Sequence, residues 1–325
     1  MNFQDLVRIE KYDTYLDHAF RKAKLKVEQV KEEKLKGERV HKSRQMESLR
    51  INVVKDYLTN SFQKILDSFP NINQLDKFYL ELVHCTLEYD QLKLSLGILS
   101  WGIKHIHKFY IKYNSLINQT EDLQKINQYR REFYGRVSSI VKQTSKALLY
   151  LEEARKVMRN YPNIKTSVKT VSIVGFPNVG KTTLLYKLTG SKAEINSYSF
   201  TTKGINIGYI GRDKAKKDRI QVIDTPGTLN RFEKMNNIEK IAHLAMKYVS
   251  DVFIYVFDLS EEYPIDDQIK LFNELKKFDK KIFAYLSKTD ILEKEKVEEF
   301  NKKINCIKDV KVLEKEMKNA LKDAD

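Results

Sequence analysis

"GFPNVGKT" (175–182) decides how the rest of the chain is read. Its spacing, Gly-x-x-x-x-Gly-Lys-Thr, puts Gly175 and Gly180 where a backbone must curl for successive N–H groups to converge on one anion. A helix starting at Lys181 adds its positive N-terminal end to the same point. Lys181 then supplies a point charge to the β- and γ-phosphates of a nucleotide, and Thr182 a hydroxyl for Mg2+. The apolar, β-branched run "TVSIVG" (170–175) reads as the strand from which such a loop springs. The expected phosphate cradle is therefore Gly175, Pro177, Asn178, Val179, Gly180, Lys181, Thr182 and Thr183.

Three more runs downstream have the same short, nearly continuous apolar character: "RIQVIDTPG" (219–227), "VFIYVFDLS" (252–260) and "KIFAYLSKTD" (281–290). They alternate with helical stretches at 181–190, 233–249 and 266–278. Buried strands alternating with helices predict an α/β domain with a mostly parallel sheet covered on both faces. "DTPG" (224–227) closes one of these strands, so Asp224 is placed to hold the metal through water and the Gly227 N–H to sense a γ-phosphate. Between the two loops, "SYSFTTKGINIGYI" (197–210) offers Thr201 and Thr202 as threonines that close on Mg2+ and γ-phosphate when GTP is bound.

"SKTD" (287–290) names the base. An ionised Asp290 only accepts hydrogen bonds, and guanine offers it two adjacent donors where adenine would present an acceptor. Lys288 can lay its methylene stem on the ring. Ser287 stands where such loops usually carry Asn, and its shorter hydroxyl is expected to lose a contact worth about 1 kcal/mol.

Upstream the pattern differs. Residues 1–165 contain two prolines, Pro70 and Pro162, and apolar residues recur at helical spacing: Leu75, Phe78, Tyr79, Leu82 and Val83, then Leu92, Leu96 and Leu99, then Ile140, Val141, Leu148 and Leu151. This predicts an all-α bundle of long helices, broken at "SFPNIN" (68–73) and near 118–121 and ended by Pro162. Phe109, Tyr110 and Tyr113 are expected in its core. The expected division is a helical bundle over 1–165 followed by the α/β domain over 166–325.

Composition narrows the partners. Lys and Arg number 59 against 44 Asp and Glu, a formal net charge of +15 that favours polyanions. The segment 21–44 carries ten Lys/Arg against four Glu, and "DKAKKD" (213–218) reads as a basic hairpin tip; either suits RNA phosphates. Two cysteines, Cys85 and Cys306, exclude a disulfide framework or a zinc site. No apolar run approaches the roughly 18 residues of a membrane span, and the first twenty residues do not form a signal peptide, so the cytoplasm is expected.

With these motifs in order, the chain resembles a GTPase of the Obg-related group, and within it the Nog-type (nucleolar GTP-binding) family. "GFPNVGKTTLL", "SFTTKGINIGYI" and "IQVIDTPGTL" are similar to that family's phosphate loop, switch and magnesium loop. "FPNINQLDKFYLELV" and "YGRVSSIVKQTSKALLYLEEARKVMRNYPNI" resemble its N-terminal helical domain. The resemblance implies Mg2+ held by Thr182, Thr202 and Asp224, K+ beside Asn178, and Lys181, Thr202 and Gly227 as the residues acting on the γ-phosphate. It implies a base-supporting loop at "NCIK" (305–308), where Cys306 and Ile307 would meet the base. It implies GTP and GDP as ligands and the large ribosomal subunit or its precursor, with ribosomal RNA, as partner. A monomer away from membranes is expected, and a chain stopping at Asp325 suggests a compact archaeal form. After "DTPG" come Thr228 and Leu229 rather than a Gln, so slow intrinsic turnover is expected. The alternatives are a non-enzymatic RNA-binding scaffold with a structural guanine-nucleotide site, which Ser287 and "NCIK" favour, and a GTPase of a membrane process, for which no anchor is seen.

Overall fold

Helical spacing in the first half becomes a set of long amphipathic helices. The computed structural model describes residues 3–32, 38–190, 194–195, 205–211, 219–225, 237–260 and 263–322. One compact unit comprises 3–74 and 87–159. It contains α1 (Tyr12–Glu32), α2 (Arg39–Ser68), α4 (Tyr89–Gln119), α5 (Leu123–Gln143) and α6 (Ser145–Met158). Along α2, Ile51, Val54, Leu58, Phe62 and Ile65 are buried at steps of three and four. Along α4, Leu92, Leu99, Ile106 and Tyr113 are buried at every seventh position, and α4 packs against α2, α5 and α6. Gly102 lies in that seam, where an added Cβ would come within 3.3 Å of the Thr144 methyl and 3.6 Å of the Phe62 ring.

The breaks fall where expected. Ser68 ends α2 ahead of Pro70, Gln119 ends α4, and α6 stops at Met158 ahead of Pro162. Asp122 caps α5 by accepting from the Gln124 and Lys125 N–H groups. One further break divides α5 from α6 at buried Thr144, whose hydroxyl donates to the Val141 carbonyl at 2.7 Å. Of the three aromatics expected in the core, Tyr113 is buried against Phe133, whereas Phe109 and Tyr110 are half-buried. Lys55 sits 4.6 Å above the Tyr110 ring, a cation–π contact at the rim of the core.

The second unit comprises 75–86 and the chain from 160 onward. Its sheet runs in the order β2-β3-β4-β1-β5-β6, with β1 (Thr170–Val174), β2 (Glu194–Ile195), β3 (Asn206–Ile210), β4 (Ile220–Asp224), β5 (Val252–Phe257) and β6 (Lys281–Leu286). Strands β4, β1, β5 and β6 are parallel; β3 returns antiparallel beside β4, as a hairpin with its tip at 213–218 requires. The tip itself lies outside the described residues. Side chains alternate across β5: Val252, Ile254 and Val256 enter one core with Leu184, Leu185, Leu313 and Met317. Phe253, Tyr255 and Phe257 enter the other with Met246, Leu275 and Phe300. The covering helices are α7 (Lys181–Thr189), α8 (Asn237–Tyr248), α9 (Ile265–Leu275), α10 (Lys294–Lys303) and α11 (Val310–Lys322).

Packing also moves a piece of the sequence. The helix α3 (Lys77–Thr86), expected in the helical bundle, packs against α8 of the α/β unit. Its buried face is Phe78, Tyr79, Leu82 and Val83, and the Tyr79 hydroxyl donates to the Pro162 and Ile164 carbonyls at 2.9 and 2.8 Å. The same oxygen accepts the Ile164 N–H at 3.0 Å. The segment 160–164 is thereby fastened to α3, so the packing unit does not follow the division at residue 165.

Candidate nucleotide site

The loop after β1 is held in a conformation that needs its glycines. Gly175 has φ +154°, and a Cβ there would stand 2.7 Å from the Val256 carbonyl oxygen, inside contact distance. Gly180 has φ +94° at the N-terminus of α7, and Asn178 takes the left-handed region at φ +61°. Val179 is fully buried beneath the loop, while Pro177 and Asn178 stand above it, half-buried and exposed. Lys181 is 8% exposed, and its Nζ donates to the Phe176 carbonyl at 2.6 Å. The ammonium is thus folded back over the loop it belongs to, at the mouth where phosphate oxygens would lie. Thr183 is exposed two residues further along, in the first turn of α7.

Beside it lie the metal-side groups. Thr182 Oγ1 donates to Asp224 Oδ2 at 2.6 Å, joining the start of α7 to the end of β4. Asn206 Nδ2 donates to the same oxygen at 3.0 Å. The antiparallel register sets this up, pairing Asn206 of β3 with Asp224 of β4. Burial pushes the Asp224 carboxyl above its ordinary range, against the pull of the Thr182 and Asn206 hydrogen bonds and the Lys181 charge. A cation bound here would favour the ionised form. The donor set is one hydroxyl and one carboxylate, and among the described residues no cluster of three His, Cys, Asp or Glu is placed to hold a metal. That fits Mg2+, a hard ion held by one or two protein oxygens with phosphate and water completing its shell. Thr201, Thr202 and Gly227 lie outside the described residues, so only Thr182 and Asp224 of the expected metal set are located.

The base-side loop follows β6. Ser287 is buried, and both its N–H and its hydroxyl donate to the Phe257 carbonyl at 3.0 Å. A Cβ at Gly180 would stand 3.6 Å from Ser287 Cβ, so the two loops are in van der Waals reach. Lys288 takes φ +51°, and its ammonium lies 2.6 Å from Asp258 Oδ2. Asp290 is exposed at the mouth. Burial acts to raise the Asp258 carboxyl, but hydrogen bonds from Lys288 and Ser260 outweigh it and hold the group below the usual carboxylate range.

The main-chain groups of Cys306 and Ile307, expected beside the base, are engaged within the fold. The Cys306 N–H donates to Asn301 Oδ1 at 2.7 Å, and its thiol is buried, which pushes its pKa up to about 12. Ile307 is laddered beside β6, its N–H to the Ala284 carbonyl at 2.8 Å and its carbonyl from the Leu286 N–H at 3.0 Å. Their main-chain donors are spent on the fold, because this short segment extends the sheet before α11 begins. Asn206 and Asp258 were not anticipated; each matters through its strand position rather than through a motif.

Both parts of the chain are similar to known proteins. Residues 3–165 match the NOG1 N-terminal helical domain, and residues 170–290 match the 50S ribosome-binding GTPase family. An uncharacterized protein of Methanocaldococcus jannaschii is 38% identical over 260 residues, covering 79% of this chain and 72% of that protein. Nucleolar GTP-binding protein 1 of Kluyveromyces lactis is 33% identical over 260 residues, 78% of this chain and 40% of its own length. The Drosophila melanogaster protein of that name is 29% identical, over 92% of this chain and 46% of its own length. The chain therefore spans less than half the length of these eukaryotic relatives.

Proposed function

Because the chain belongs to the NOG1 family of GTP-binding proteins, we propose that it hydrolyses GTP as a switch in assembly of the large ribosomal subunit. The observation that carries the nucleotide reading is the contact of Thr182 with buried Asp224 beside Lys181, at the C-terminal ends of β1 and β4. Ligands of parallel sheets bind at such ends, here where β1 has β4 on one side and β5 on the other.

Mg2+ would be held by Thr182 and Asp224, with Thr202 joining them in the triphosphate state; the ion offsets charge on the β- and γ-phosphates. Lys181 binds the same phosphates from its place over the phosphate loop. Asn178 is the residue that would place K+ beside them. Asp290 selects guanine, and Gly227 reports the γ-phosphate. Lacking a Gln after "DTPG", the protein turns over slowly until a partner or cation completes the site.

The partner is ribosomal RNA within the large subunit or its precursor, gripped by the basic helical half. Lys22, Lys24 and Lys26 are exposed on α1, and Lys22, Lys26 and Lys64 line a groove of about 800 Å³ between α1 and α2. Among the described residues no helix is long and apolar enough to cross a membrane. We place the protein in the cytoplasm as a monomer. Sedimentation with ribosomal subunits under GDP and under a non-hydrolysable GTP analogue tests the switch, and released phosphate tests catalysis. Nucleotide-independent sedimentation without phosphate release would leave the RNA-binding scaffold as the better account.

A further inference from the structure

One buried charge lies outside the nucleotide motifs and touches the base loop. Asp258 follows β5 directly and is 2% exposed, a place where a carboxylate persists only if it is paired. Its Oδ2 meets the Lys288 ammonium at 2.6 Å, and its Oδ1 accepts the Ser260 N–H at 2.9 Å. Lys288 also reaches the Ser260 hydroxyl at 3.3 Å. The main chain of Asp258 is fixed as firmly as its side chain. Gln268, 1% exposed, accepts the Asp258 N–H at 3.0 Å and donates to its carbonyl at 2.7 Å and to that of Tyr263 at 3.1 Å. The Tyr255 hydroxyl holds the Gln268 carbonyl at 2.8 Å.

The base loop depends on this corner in two consecutive positions. Ser287 spends its N–H and its hydroxyl on the carbonyl of Phe257, and Lys288 then places its ammonium on Asp258. Lys288 does so from a left-handed backbone, φ +51°, which a long side chain adopts only when its surroundings impose it. The loop is therefore anchored to the end of β5 side by side, 287 to 257 and 288 to 258. Ser287 has no amide with which to reach across to the phosphate loop, so the β5 end bears more of the positioning than an Asn at 287 would require.

We propose that Asp258 is a positioning residue for the guanine base, fixing the Lys288 ammonium so that the lysine's methylene stem forms the flat surface against one face of the ring. This rests on the guanine-nucleotide function proposed above. Asp258 makes no contact with nucleotide in this role; it acts through Lys288, as Gln268 acts through Asp258.

The test is a double-mutant cycle on the full chain. Fluorescent GDP is titrated in Mg2+ against wild type, Asp258→Asn, Lys288→Met and the double variant, with melting temperatures recorded without nucleotide. Each single variant is expected to weaken GDP and GTP by about tenfold, to the same degree for both, because the base is common to them. The double variant is expected to be no weaker than the worse single one, since both remove one coupled unit. Competition by inorganic pyrophosphate, which meets only the phosphate loop, is expected to be unchanged; general damage to the fold would weaken it too. Should Asp258→Asn fail to fold, Lys288→Met and Lys288→Gln still decide, because unaltered GDP affinity in both would overturn the role of the pair. Additive losses, or Asp258→Asn binding GDP as wild type does, overturn the proposal for Asp258 alone. A wild-type protein that binds neither GDP nor GTP overturns the guanine-nucleotide function itself.

Discussion

Removing one oxygen from Tyr79 tests where α3 belongs. The hydroxyl is fully buried and serves three main-chain groups: the Pro162 carbonyl at 2.9 Å, the Ile164 carbonyl at 2.8 Å and the Ile164 N–H at 3.0 Å. Tyr79→Phe keeps the ring and its packing but orphans the N–H and at least one carbonyl. Each orphan costs about 1–3 kcal/mol, so the expected loss is about 2–6 kcal/mol, with the ring's own burial unchanged. For a unit of this size that corresponds to a drop of roughly 4–24 °C in melting temperature. The location of the loss is more telling than its size. GDP bound to the folded state stabilises whichever transition contains the nucleotide site, so that transition can be identified by adding ligand. Tyr79→Phe is expected to lower the GDP-sensitive transition and to leave any GDP-insensitive one in place. A variant that shifts only the GDP-insensitive transition would refute the assignment of α3 to the α/β unit.

Lys181→Ala removes the fixed positive charge at the phosphate loop and is expected to weaken GDP and GTP by at least about 2 kcal/mol, measured by calorimetry. Reversing exposed Lys22, Lys24 and Lys26 to Glu should weaken ribosomal RNA binding and flatten its salt dependence, normally near −0.7 to −0.9 in log K per phosphate neutralised, while GTP hydrolysis without RNA stays the same. Glu152 receives the Arg155 guanidinium at 2.7 Å and the Ile9 N–H at 3.0 Å, and these outweigh burial to hold its carboxyl below the usual range. A depressed folded-state pKa contributes stability above the ordinary carboxylate range and loses it as pH falls through the folded value. Glu152→Gln should therefore cost about 1 kcal/mol at neutral pH and reduce the acid sensitivity of the helical unit, checked by urea titrations at pH 7 and pH 3. Alkylation of the native protein should mark half-buried Cys85 before Cys306, whose thiol is buried and raised to about 12; equal labelling by mass spectrometry would contradict the placement of 305–308.

The phosphate loop is legible because its chemistry is local: two glycines, a lysine and a threonine at fixed spacing constrain a single turn. Asp224 is legible for the same reason, closing a recognisable strand. Asn206 is not, since its importance arises only when the β3–β4 register sets it opposite Asp224, eighteen residues away. Asp258 and Lys288 are thirty residues apart and meet because β5 and β6 are parallel neighbours. The apolar face of α3 states that Phe78, Leu82 and Val83 are buried but not what buries them, and the bundle on either side in sequence is the natural guess. Helices α10 and α11 are written in the spacing of Val297 and Phe300 and of Leu313, Met317 and Leu321, yet the charged residues between them hide the pattern. At "NCIK" the motif is short, and its main-chain donors are shared between the Asn301 side chain and the ladder beside β6.

The excursion of α3 also imposes an order on synthesis. A chain emerging from the ribosome releases residues 75–86 well before residues 160–325, with which they pack. During that interval Phe78, Tyr79, Leu82 and Val83 have no native surface to cover them, although the helices on either side can already begin to associate with one another. Nascent chains therefore pass through a stage with an apolar helix waiting for α8, the kind of surface that chaperones bind and that aggregates when they are scarce. The α/β unit in turn cannot be completed by its own contiguous sequence, so a gene fragment beginning at residue 166 encodes the sheet and its covering helices but leaves α8 without the helix that packs on it.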